Sequence, residues 1–187
     1  MTTEEKMIEY KDSLLKNLHD LPKYCAKLFL PVMSEYKIFR QVCRHLGDFY
    51  ELIIKGCIAT KTTEYLYHRL QMTAERVTEF CYDHWCNEKL LFMYGPYHCS
   101  CKIASLLLEI VPIELEVLYI CTSKLKESRS TELEVFVKQI LEASPRILQN
   151  YLILLQGHKA GAVAGNAPTR SIYVMMEFLL IFYTDIP

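Results

Sequence analysis

Six cysteine and histidine residues near the middle of the chain have side chains that could ligate a metal ion. They are Cys81, His84, Cys86, His98, Cys99 and Cys101. Thiolate and imidazole are ligands that zinc prefers, and structural zinc sites usually place paired ligands two to four residues apart on a knuckle. The spacing here fits poorly, because Cys99 and Cys101 are too close for a usual knuckle and Cys81 and Cys86 point in different directions on a helix. Buried core thiols explain these residues better, so we assign no metal site and keep a zinc-stabilised helical interaction module as an alternative.

Nucleophilic catalysis has no better support in the sequence. Cys43 and His45 are two residues apart on a predicted helix, which turns their side chains about 200° from each other and out of hydrogen-bond reach. The glycine-rich segment 157–169 lacks the Gly-Lys-Ser/Thr end of a phosphate-binding P-loop and follows a helix where that motif requires a strand. No G-x-S-x-G nucleophile elbow is present either. We therefore predict that the protein is not an enzyme, with no catalytic or cofactor-binding residues and no cofactor in this segment.

The composition indicates a folded protein without a surface for nucleic acid. Hydrophobic residues make up 51% of the 187 residues and charged residues 23%, unlike a disordered chain. Lysine and arginine together number 21 against 22 aspartate and glutamate, and neither sign forms a long block, so we expect no direct nucleic-acid partner. The acidic N-terminus lacks a secretory signal, and no apolar run reaches about 20 residues, which predicts a cytoplasmic protein without a membrane span.

Apolar residues recur at helical spacing along almost the whole chain, and proline and glycine fall mainly at the joints. This pattern predicts an all-α fold, a multi-helix bundle of about seven to eight helices. We expect one helical domain over residues 1–187, with a candidate sub-boundary near residues 94–100. The clearest stripe runs from Ile38 to Ile54, and Gly56 should end that helix in a left-handed conformation.

Proline and serine residues predict where the later helices begin. We expect Pro112 and Pro145 each to occupy the first turn of a new helix, since their fixed φ suits that position. Ser144 would then be the N-cap of the second of these helices. Thr131 and Glu134 have the spacing of a capping box.

The remaining glycine and proline residues predict two interruptions of the helical pattern. Gly95 and Pro96 mark a turn. Residues 157–169 (GHKAGAVAGNAPT) are expected to form the only extended flexible loop, after which a last helix resumes at about Ser171.

Several segments, most of them in the last third of the chain, carry a likeness to a known family. They are Ile110–Ser128 (IVPIELEVLYICTSKLKES), Val135–Leu155 (VFVKQILEASPRILQNYLILL), Tyr173–Pro187 (YVMMEFLLIFYTDIP), Phe39–Cys57 (FRQVCRHLGDFYELIIKGC) and Gln71–Phe80 (QMTAERVTEF). Over most of its length the chain resembles the Solanaceae-type N-terminal domain of plant NLR disease-resistance proteins. Late blight, tomato nematode and tospovirus resistance receptors are of this type.

The resemblance implies a regulatory and pathogen-sensing domain of an immune receptor that acts by protein-protein contacts in plant defence and the hypersensitive response. The implied partners are the downstream coiled-coil and nucleotide-binding modules of the parent receptor, and a pathogen effector protein. A structural scaffolding domain that only joins receptor modules remains the alternative function.

Overall fold

The protein, described by a computed structural model over residues 1–86 and 88–159, is helical almost throughout this part of the chain. Its long helices are α1 Thr3–Tyr24, α3 Met33–Ile54, α4 Thr60–Cys86, α5 Glu88–Glu127 and α6 Thr131–Lys159. A short helix, α2 Ala26–Phe29, and a 3-10 turn, Leu30–Val32, connect α1 to α3. The described residues contain no strand, which confirms the predicted all-α class.

The described part of the chain has five long helices rather than the seven to eight that the sequence predicts for the whole chain. Two predicted boundaries are wrong, because Pro112 lies inside α5 and Pro145 lies inside α6. A proline removes one backbone hydrogen bond and crowds the preceding turn, but packing of an apolar face can outweigh that cost. Such packing is present on both sides of Pro112, where Val111 and Ile113 are buried.

The predicted turn at Gly95 is confirmed as a break within α5. Gly95 has φ of 62° and ψ of −166°, a conformation that no helix contains and that glycine adopts at little cost. The helical residues before and after this glycine therefore differ in direction.

The start of α6 differs by one residue from the sequence prediction. Ser130 is the residue that caps this helix, because its Oγ accepts a hydrogen bond from the Leu133 N–H at 3.4 Å. Its carbonyl accepts from the Glu134 N–H at 3.0 Å, so the predicted capping box at Thr131 and Glu134 is wrong. The boundary itself follows from the polar Ser-Arg-Ser break, which the structure retains.

The end of α6 also departs from the sequence prediction. The helix continues through Gly157 to Lys159, so the first three residues of the predicted loop 157–169 are helical. The remainder of that predicted loop, the predicted helix from about Ser171 and the segment Tyr173–Pro187 lie outside the described residues.

The helices share one hydrophobic core, with α3 at its centre. Buried residues from α1, α2, α3, α4, α5 and α6 form one contiguous cluster. Helix α1 runs antiparallel to α3, since Lys11 pairs with Glu51 at 2.7 Å while His19 contacts Arg40 at 2.8 Å. On another side of α3, α5 and α6 complete the bundle. Over residues 1–86 and 88–159, none of the helices combines the length and hydropathy that a bilayer-spanning segment requires.

Candidate functional site

A polar cleft of about 960 Å³ opens between α1, α3 and α6. Its cationic residues are Lys16 on α1 and Lys37, Arg40 and Arg44 on α3. We call this feature the basic cleft. The three α3 residues lie at positions i, i+3 and i+7, so they form one stripe about 10 Å long on a single helix face. The opposite face of α3 is buried in the core, and this amphipathic division is what turns the cationic stripe outward.

The cationic side chains of the basic cleft have little internal charge compensation. Within the described residues, none of Lys16, Lys37, Arg40 and Arg44 forms an ion pair. The Arg40 guanidinium donates to Nδ1 of His19 at 2.8 Å, which orients Arg40 without neutralising it. Four cations therefore face two carboxylates of the same cleft, those of Asp48 and Glu142.

The floor of the cleft contains a buried histidine-carboxylate pair. His45 on α3 is 4% exposed and Glu114 on α5 is 2% exposed, and Nδ1 of the imidazole is hydrogen bonded to Oε1 of the carboxylate. Because a carboxylate accepts, Nδ1 carries the proton in this bond, and the ring is fixed in one orientation. His45 is also one of the residues that line the cleft.

Carboxylate and amide side chains also line the cleft. Asp48 lies one helical turn beyond Arg44, and Gln139 and Glu142 lie on α6. Burial raises the pKa of Asp48, and the positive charges of Lys11 and Arg44 offset part of that effect. These groups can accept hydrogen bonds from hydroxyls, whereas the α3 stripe can bind an anion. The described lining contains no serine, threonine, cysteine or tyrosine that could serve as a nucleophile.

The cysteine and histidine residues that the sequence analysis considered as metal ligands are distributed between core and surface. Cys81, His84 and Cys99 are buried, whereas Cys101 is exposed. The side chain of Cys86 lies outside the described part of the structure. Among residues 1–86 and 88–159, no three His, Cys, Asp or Glu side chains are grouped so that they could hold a metal ion.

His84 is the most unusual of these residues. Its Nδ1 is hydrogen bonded to the Phe80 carbonyl at 2.7 Å, and its ring lies 4.2 Å from the ring of Phe80 and 5.8 Å from that of Phe29. Burial lowers the pKa of His84, which favours the neutral ring. Its Nε2 is buried and has no hydrogen-bond partner among the described residues. The imidazole thus acts as an aromatic core residue.

The Cys43 and His45 side chains have separate environments. Cys43 is buried in the core, and burial raises the pKa of its thiol well above the usual range. His45 is directed to Glu114 instead. The structure thus assigns the histidine to a pair that links α3 to α5.

A second surface feature lies at one end of the bundle. Tyr24 at the end of α1 and Trp85 near the end of α4 contact each other with ring centroids 4.7 Å apart and ring planes tilted by 53°, yet they remain 69% and 47% exposed. Tyr82, one turn before Trp85, is 63% exposed. We call these three residues the aromatic patch. Large exposed aromatic side chains at a common site are typical of surfaces that bind proteins.

The basic cleft and the His45–Glu114 pair were not predicted from the sequence. The pair joins residues that are 69 positions apart, and no local spacing connects them. One usable signal is the position of Glu114, which lies between Ile110 and Leu118 on the buried face of α5. A carboxylate on such a face requires a polar partner, and a histidine within the apolar stripe of α3 is a natural choice.

Comparison of the chain with protein-family models, with curated proteins and with solved structures gives no match.

Proposed function

We propose that the chain is the N-terminal regulatory and pathogen-sensing domain of a plant NLR immune receptor. It acts in the cytoplasm by protein-protein contacts in the defence response. Its partners are the downstream coiled-coil and nucleotide-binding modules of the parent receptor, and a pathogen effector protein. The support comes from the resemblance to the Solanaceae-type domain, from the all-α architecture and from an exposed surface suited to protein binding.

The observation that carries the proposal is the location of the resembling segments. Phe39–Cys57 covers most of α3, Ile110–Ser128 makes up the later part of α5, and Val135–Leu155 lies within α6. These three helices pack against one another and supply much of the buried core. The likeness therefore concerns residues that act together in one structural unit, as expected if it reflects a shared fold.

The aromatic patch provides a physical route for regulation. An exposed tyrosine and tryptophan that already contact each other lose little conformational freedom when a partner covers them, so they can contribute strongly to binding. A domain of this kind regulates by binding one conformation of its neighbour better than another. We propose that the patch contacts the coiled coil in its restrained state and that effector binding elsewhere on the domain releases it.

The proposal can be tested by expressing the chain in leaves together with the coiled-coil module of the same receptor. We expect the wild-type chain to reduce coiled-coil-dependent cell death and to co-purify with the module. The double variant Tyr24→Ala/Trp85→Ala should lose both effects. Tyr119→Ala is the matched control, since Tyr119 is 55% exposed on α5 and is not part of the patch.

Two results would count against the proposal. A wild-type chain that neither alters cell death nor associates with the coiled coil has no restraining role. Equal loss of association in the patch variant and in Tyr119→Ala would show that the aromatic patch is not the contact surface.

A further inference from the structure

We propose that the basic cleft binds a small ligand that carries several phosphate groups on a polyhydroxyl framework. This inference is independent of the proposed receptor function, because it rests on the cleft between α1, α3 and α6 and not on the aromatic patch.

The first argument is the unbalanced charge of the cleft. Lys37, Arg40 and Arg44 follow one another along a face of α3, and Lys16 faces them from α1. Like charges held together destabilise a folded protein unless an anion accompanies them. Guanidinium groups can hold phosphate with two parallel hydrogen bonds, and the stripe of about 10 Å is long enough for more than one phosphate group.

The second argument is the fixed imidazole at the floor. Glu114 is hydrogen bonded to Nδ1 of His45, and His45 is also one of the residues that line the cleft. A ring that is already held in one orientation loses little freedom when a ligand contacts it, which lowers the cost of binding.

The third argument concerns the kind of phosphate ligand. A concave site of about 960 Å³ matches the size range of small-molecule sites rather than the flat surfaces that bind folded proteins. Asp48, Gln139 and Glu142 line the same cleft and would accept hydrogen bonds from hydroxyl groups, so a ligand with hydroxyls as well as phosphates uses more of the lining than a polyphosphate or an acidic peptide does. Phosphates at the cationic stripe and hydroxyls at these acceptor groups would satisfy both kinds of lining residue.

The test is isothermal titration of the full chain with inositol trisphosphate, which carries both phosphates and hydroxyls. Tripolyphosphate is the comparison ligand without hydroxyls, and a poly-glutamate peptide represents an acidic protein segment. Phosphatidylcholine vesicles with and without phosphatidylinositol bisphosphate distinguish a lipid headgroup from a free metabolite as the source of the same chemistry.

Two double variants make the test specific to the cleft. Lys37→Gln/Arg44→Gln removes two exposed cations of the stripe, neither of which forms an ion pair within the described residues. Lys6→Gln/Lys27→Gln removes the same charge from exposed positions on α1 and α2 that do not line the cleft. Thermal unfolding checks that both variants remain folded.

We expect inositol trisphosphate to bind the wild-type chain more tightly than tripolyphosphate or poly-glutamate does. The cleft variant should bind it at least about tenfold more weakly, while the control variant should stay close to wild type. Binding to vesicles that contain the phosphoinositide, with the same dependence on Lys37 and Arg44, would identify a lipid headgroup as the source. The inference is overturned if neither the free ligand nor the vesicles bind, if both double variants lose affinity equally, or if tripolyphosphate or poly-glutamate binds more tightly.

Discussion

The buried pair of His45 and Glu114 is the residue-scale feature with the largest energetic consequence. Both side chains are almost completely withdrawn from water, and each is the polar partner of the other. Removing a charged group from water is costly, and the mutual attraction only offsets that cost. The intact pair contributes little net stability, but either residue destabilises the folded protein when its partner is removed.

Replacing one member of this pair should therefore be more damaging than replacing both. We expect His45→Leu to lower the free energy of unfolding by about 3–5 kcal/mol, because it leaves the Glu114 carboxylate buried without a partner. The double variant His45→Leu/Glu114→Leu should recover most of that loss. Denaturant unfolding followed by circular dichroism measures both effects.

The exposed pair of Arg76 and Glu109 supplies the control for this comparison. It also joins two helices, but its side chains are 50% and 33% exposed. Arg76→Leu should cost less than about 1 kcal/mol, since water screens the interaction and solvates the remaining carboxylate. A double variant at His45 and Glu114 that is no more stable than His45→Leu alone would contradict this account of the buried pair.

The cysteine residues should differ sharply in reactivity. Burial raises the pKa of the Cys81, Cys99 and Cys121 thiols to about 12, so at neutral pH these side chains are protonated as well as inaccessible. Cys101, by contrast, is exposed. We expect iodoacetamide to modify Cys101 in the native protein, and the three buried thiols only after unfolding, as read by mass spectrometry of peptides.

The pH dependence provides a further check on the cysteines. Raising the pH from neutral towards about 9 leaves the buried thiols below their pKa, so their modification should stay slow as long as the protein is folded. Rapid labelling of Cys81, Cys99 or Cys121 in the native state would show that the core around them opens readily.

At the scale of helices, the end of α3 depends on one glycine. Gly56 has φ of +76°, and its N–H donates to the Ile53 carbonyl at 3.0 Å. The Cys57 N–H donates to the Leu52 carbonyl, also at 3.0 Å, which completes a Schellman motif. A side chain added at Gly56 would meet no atom within 4 Å, so any cost of substitution is conformational.

The corresponding prediction compares two glycines that differ only in conformation. Gly56→Ala should destabilise the protein by about 1–2 kcal/mol, because an L-residue is strained at this φ. Gly157→Ala should be neutral or stabilising by up to about 1 kcal/mol, because Gly157 is helical and likewise has no atom within 4 Å of an added Cβ. Thermal unfolding of the two variants measures the difference, and similar shifts in the same direction would contradict it.

Helix boundaries show what could and could not be predicted from the sequence. The end at Gly56 was predictable, because a left-handed backbone conformation favours one residue type so strongly that the residue itself is the signal. The helix starts predicted at Pro112 and Pro145 were wrong, because proline suits a first turn but can also be held inside a helix by packing on both sides. Ile140 and Ile147, on either side of Pro145, are buried in the common core, and the residues of the other helices that cover them are distant in sequence.

The candidate sites were harder to predict from the sequence than the helices. The stripe of Lys37, Arg40 and Arg44 is visible as a helix face, but its role as one wall of a cleft depends on α1 and α6. Partners such as His45 and Glu114 meet only through helix packing, and helical periodicity specifies which face is buried without specifying the neighbour.

At the scale of the whole molecule, the helices depend on a single core. Phe29, Tyr36 and Phe80 form an aromatic cluster at one end, with the Phe29 and Tyr36 rings 4.6 Å apart, and Trp85 lies close by on α4. Towards the other end, Phe49 stacks on Phe136 at 6.3 Å. Tyr36 and Phe49 are 13 residues apart on α3, a distance of about 20 Å along the helix. The buried cluster joins these ends without a gap.

Because the helices share one core, a destabilising substitution at one end should lower the stability of the other end equally. Phe136→Ala should lower the free energy of unfolding by about 3–5 kcal/mol through lost burial and a cavity. The fluorescence of Trp85, the single tryptophan of the chain, should report the same shift in denaturant midpoint as far-UV circular dichroism, although Phe136 lies at the distant end. Val135→Ala is the neighbouring control, because Val135 is 52% exposed and should change neither midpoint appreciably. The prediction fails if the Trp85 transition stays at the wild-type midpoint while the circular dichroism transition moves. The two ends would then unfold independently, although their buried residues form one continuous cluster.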